Sequence, residues 1–65
     1  MILYSLKSCA PCKQIKKLMD EQERVYQIET DPVNFPLGLK SVPALAVNDI
    51  ILTGGDIILR FLKGE

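Results

Sequence analysis

Cys9 and Cys12, the only cysteines of the chain, stand on either side of Ala10 and Pro11, just ahead of a stretch with helical patterning. Two thiols at this spacing can close a disulfide and reopen it, which is the minimum apparatus for thiol–disulfide exchange. The attacking species in that chemistry is the thiolate. A helix start favours it, because free backbone N–H groups and the positive end of the helix dipole converge there. Cys9 is therefore the expected nucleophile, and Cys12, one turn further in, the thiol that attacks Cys9 in its turn. As a structural staple the pair is poor, since the loop it closes is tiny and removes little entropy from the unfolded chain. Metal binding is poorly served too: structural zinc takes four ligands, and the chain offers two thiolates and no histidine. No bound cofactor is expected beyond the redox-active Cys9–Cys12 disulfide itself.

Composition narrows the setting. The 65 residues are expected to form one domain, 1–65, near the lower limit for folding without staples, and 48% apolar content makes a small core attainable. Eight basic and eight acidic residues cancel, which removes the charge excess that steers a protein to nucleic acid or to an acidic membrane. Residues 1–6 are apolar but shorter than the hydrophobic region of a secretory signal, and no apolar run reaches the length of a membrane span. A cytoplasmic monomer is the expectation, since C-x-x-C in that compartment reads as redox-active rather than structural.

The cysteines need elements to hold them. Residues 1–6 form a continuous apolar run suited to a strand buried on both faces. Lys7 and Ser8 make a loop, Cys9 caps a helix, and Pro11 is tolerated in its first turn, where N–H groups have no intrahelical partner. Cys12, Ile15, Leu18, Met19 and Gln22 follow helical spacing, with lysines and glutamates mostly opposite. Residues 24–28 alternate and predict a second, parallel strand. Asp31 and Pro32 can start a short helix, which Pro36 and Gly38 curtail to a turn or two or a loop. Residues 44–47 and 50–52 predict a hairpin closed by Asn48-Asp49. Gly54-Gly55-Asp56 then opens a last helix with Ile57, Ile58, Phe61 and Leu62 inward, ended by Lys63 and Gly64. The order is β-α-β, a short helix or loop, then β-β-α.

Three features in this order resemble the thioredoxin superfamily: Cys9-Ala10-Pro11-Cys12, Ser41-Val42-Pro43 ahead of the hairpin, and the Gly54-Gly55 step into the last helix. The compact length looks like glutaredoxins. The resemblance covers essentially the whole chain and implies an α/β, thioredoxin-like fold with a four-stranded mixed sheet and helices on both faces. It implies a cis bond between Val42 and Pro43, facing the cysteines, with the backbone of Val42 left to pair with an extended substrate. Ala10, Pro11, Val42 and Pro43 would form the substrate-binding surface. Lys7, Gly55 and Asp56 are candidates for holding glutathione or another anion, and Lys7 and Lys13 place positive charge beside the thiols.

The activity implied is a thiol–disulfide oxidoreductase acting on disulfide-containing proteins, fed by a thioredoxin-reductase-like flavoprotein. Pro11 directly before Cys12 looks like the thioredoxin motif, whose potential is about −270 mV against about −200 to −230 mV for glutaredoxins. The alternatives are a glutathione-dependent donor, for example to ribonucleotide reductase, and a non-catalytic interaction module. Two departures from the family pattern stand out. Ser8 replaces the tryptophan usual in thioredoxins, and residues 1–6 carry no carboxylate; Leu6 replaces the basic residue usual in glutaredoxins, with Lys7 one place off.

Overall fold

Leu3 and Tyr4 point to opposite faces of strand β1 (Ile2–Tyr4), and both are buried. A strand covered on both sides belongs inside a sheet. In the computed structural model, which describes residues 1–64, β1 lies between β2 (Gln27–Glu29) and β3 (Ala44–Val47), with β4 (Ile50–Thr53) beyond β3. The β1–β2 pairing is parallel and the other two antiparallel, which gives the mixed four-stranded sheet. Asn48, at φ 55°, turns the chain between β3 and β4, where Val47 faces Ile50.

Two α-helices cover one face. In α1 (Ala10–Glu21), Cys12, Ile15 and Met19 recur at helical spacing and are buried. In α2 (Gly55–Lys63) the buried pair is Ile58 and Leu62. Together with Leu3 and Leu45, which sit opposite each other on the sheet, Ile15, Met19, Ile58 and Leu62 form the core. Each such side chain contributes about 1.5–3 kcal/mol by leaving water. Ile57 and Phe61, expected inward, are 53% and 40% exposed instead. The start of α2 sets this rotation. Gly55 rests against Pro11, where a Cβ would come within 3.5 Å of the proline ring, and from there residues 58 and 62 fall over the sheet.

The second face is covered differently. Tyr4 meets the ring of Phe35 edge-on, centroids 5.4 Å apart. Phe35 follows a single 3-10 turn (Pro32–Asn34), capped by Asp31, whose Oδ1 accepts the Val33 N–H at 3.0 Å. The expectation of helices on both faces therefore holds only in reduced form: both α-helices share one face, and one tight turn serves the other. Pro36, which cannot donate a helical hydrogen bond, and Gly38, at φ 84°, stop it from growing.

The strand expected over 24–28 lies further on, at Gln27–Glu29. Residues 23–26 are spent on leaving α1. Glu23 turns through φ 56°, the Arg24 N–H returns to Met19 O at 3.0 Å, and Tyr26 donates its hydroxyl proton to Asp20 Oδ1 at 2.6 Å.

Candidate active site

Cys9 is the N-cap of α1, in extended backbone conformation at φ −88° and ψ 103°. Its N–H donates to Leu6 O at 3.1 Å, which fixes the loop from β1 to the helix. Its Sγ accepts the Cys12 N–H at 3.2 Å, so the sulfur does what a serine or aspartate oxygen does at an ordinary cap. Pro11 stands in the first turn and has no N–H to leave unsatisfied. The two cysteines form a disulfide across a Cα–Cα distance of 5.2 Å. Their environments differ. Cys9 is half-buried, whereas Cys12, on the core face of α1, is 4% exposed.

The sheet register brings the other predicted residues to the same end of the molecule. Tyr4 pairs with Ala44, and Ala44 with Thr53. The residues just past these pairs, Ser5-Leu6, Val42-Pro43 and Gly54-Gly55, thus meet at one edge. Two contacts tie them: Gly54 N–H donates to Pro43 O at 3.2 Å, and Gly55 lies on Pro11. Gly54 adopts φ 94°, a conformation in which a side chain is strained, and its carbonyl accepts the Ile58 N–H at 3.1 Å to start α2. The Val42–Pro43 bond is cis. Pro43 is buried and Val42 half-buried; among the described residues, neither the N–H nor the C=O of Val42 enters a backbone hydrogen bond.

Ala10 and Pro11 are exposed beside the disulfide. Gly55 and Asp56 join Pro11 in a shallow cleft of about 450 Å³, which Gln14 and Ile57 also line. The cleft thus gathers two of the three candidate anion ligands; Lys7, exposed on the turn before Cys9, does not line it. Sequence reasoning did not single out Gln14, although its position one turn beyond Ala10 put it on the exposed flank of the motif. It also passed over a second hollow, behind Leu6 and Val42, formed by residues that look like ordinary loop.

Among the described residues, no group of three or more His, Cys, Asp or Glu side chains could hold a metal ion, and no helix is long and apolar enough to cross a membrane. Comparison with protein-family models, curated proteins and solved structures finds no match to this chain. The site can therefore be read only from its own chemistry: a disulfide with one accessible sulfur at a helix start, one sheltered sulfur behind it, and open backbone alongside.

Proposed function

We propose that this chain is a small thioredoxin-like thiol–disulfide oxidoreductase that reduces disulfides in proteins. The observation that carries the reading is the asymmetry of the pair: Cys9 caps the helix and is half-open to solvent, while Cys12 is sheltered on the core face. In the reduced protein, the Cys9 thiolate attacks one sulfur of a substrate disulfide. A Cys9–substrate disulfide forms and the other substrate sulfur leaves as a thiolate. The Cys12 thiolate then attacks Cys9, the mixed disulfide breaks, and the substrate departs as a dithiol with the two electrons the cysteines held. Backbone N–H groups at the start of α1 stabilise the negative charge of the Cys9 thiolate before it attacks. No carboxylate lies on β1 to take the Cys12 proton, which passes to water or to the departing substrate thiolate.

Electrons return to the Cys9–Cys12 disulfide from an external dithiol or thiol donor. A flavoprotein reductase is the first choice. The cleft shared by Pro11, Gly55 and Asp56 favours a second reading, glutathione, because it offers backbone and a carboxylate next to the disulfide. Turnover of insulin disulfides, coupled in parallel to thioredoxin reductase and to glutathione with its reductase, tests both. The expected result is activity with the flavoprotein, lost in Cys9→Ser, and an accumulating mixed disulfide in Cys12→Ser. Turnover that survives Cys9→Ser contradicts the assignment of the nucleophile.

A further inference from the structure

On the far side of Val42 from α2 lies a hollow of about 140 Å³ lined chiefly by Leu6, Phe35, Leu39, Lys40 and Val42. Resting on the oxidoreductase reading above, we propose that this hollow selects the substrate: it receives one aliphatic or aromatic side chain of a disulfide-bearing protein segment, with an acidic residue of the same segment beside it.

The hollow is continuous with the site. Leu6 gives its carbonyl to the Cys9 N–H at 3.1 Å, and the sheet register carries Val42 to the position opposite Leu6. A chain lying along the open backbone of Val42 therefore passes its neighbouring side chain into the hollow. Size points to a side chain and not to a free small molecule, since small-molecule sites run to about 300–1,000 Å³. The lining is apolar except for Lys40 and Ser41, and it contains no acid. Lys7 follows Leu6 on the exposed turn and adds a second cation. Asp31 lies next to the rim residue Pro32 but does not line the hollow; its charged carboxylate caps the 3-10 turn by accepting the Val33 N–H. Across the disulfide, the cleft beside Pro11 carries Asp56. The lining of the hollow is thus cationic and that of the cleft anionic, and a bound segment orients with its acid over Lys40.

The test uses the reduced protein in single turnover against pentapeptides whose central cysteine is a mixed disulfide with 2-nitro-5-thiobenzoate. Cys9 attack and Cys12 resolution release one coloured thiol and one peptide thiol, leaving the Cys9–Cys12 disulfide. Three peptides flank the cysteine on both sides with Leu and Glu, Ser and Glu, or Leu and Lys; hydroxyethyl disulfide is the small control. The expected rate constant for Leu/Glu exceeds that for Ser/Glu about tenfold, the effect of partly burying one leucine. It exceeds that for Leu/Lys about threefold, a gap that closes at high salt as surface charges are screened. Leu39→Ser abolishes the first preference and Lys40→Glu reverses the second, while both variants keep the wild-type rate on hydroxyethyl disulfide. Equal rates on all three peptides, or preferences unchanged in the two variants, overturn the hollow as a selector and leave the oxidoreductase reading intact. Failure to reduce any disulfide, hydroxyethyl disulfide included, overturns that reading and this proposal with it.

Discussion

The paired helices are finished differently at their two ends. Where they stop, polar side chains bind them to each other: Gln22, the C-cap of α1, donates from Nε2 to Leu62 O at 2.8 Å, and Arg24 Nη2 reaches the same carbonyl at 3.4 Å. That oxygen is one of the last four of α2, which have no intrahelical donor, so α1 supplies one. Where they start, the contact is the close approach of Gly55 to Pro11, and the Cys12 N–H, which has no intrahelical partner, is met by a sulfur. The lesson is a division of labour. One end spends its polar groups on holding α1 and α2 in parallel, and this leaves the other end free to keep a disulfide sulfur at a helix cap.

The strongest challenge to that division comes from the core beneath both ends. Ile15, fully buried between Cys12 and Met19 on α1, should cost about 2–5 kcal/mol when truncated in Ile15→Ala, read by urea denaturation. Below the transition, the disulfide exchange rate of the folded fraction should stay within about twofold, because no cap is touched. A collapse of exchange in protein that is still folded would mean that the site is set by the core rather than by its own cap.

Gln22→Ala sharpens the comparison at the closed end. It should lower stability by about 1 kcal/mol, the worth of one partly buried hydrogen bond, with exchange unchanged. Equal losses in both quantities would show that the two ends cannot be separated. Glu23→Gly works in the opposite direction. Glu23 turns through φ 56° immediately after the cap, where glycine pays no steric cost, so unfolding free energy should rise by about 0.5–1 kcal/mol.

The smallest effect belongs to Tyr26. Partial burial, the hydrogen bond to Asp20 and the charge of that carboxylate push its phenol from 10.0 up to about 12. Its folded value lies above its unfolded one, so the stabilisation is fully present below pH 10.0 and is lost as pH rises through about 12. Ultraviolet titration should show a late tyrosine ionisation that Tyr26→Phe removes. Persistence of that late phase in the variant would exclude the Asp20 bond as its origin.

Much of this arrangement was legible in the residues. Cys9 as a cap, Pro11 in the first turn, the Asp31-Pro32 turn and the hairpin around Asn48 all follow from local chemistry acting over a few positions. What escaped depended on packing between distant segments. Nothing in Ile57, Ile58, Phe61 and Leu62 says which pair faces inward until Gly55 has settled on Pro11. The second strand slid to Gln27–Glu29 because the exit from α1 consumed residues that alternate well. The hollow behind Val42 joins Leu6, from the loop after β1, to residues spread over the connection between β2 and β3, and no single motif marks it.

The central claim is that Cys9 owes its reactivity to its place at the start of α1. Reduced protein treated with iodoacetamide across a pH series, with each thiol followed by mass spectrometry, tests it most directly. The account predicts that Cys9 is alkylated far faster than Cys12, on a pH profile whose midpoint falls below about 8.5, the value of an unperturbed thiol. Equal labelling of the two thiols, or a Cys9 midpoint at or above that value, would contradict it.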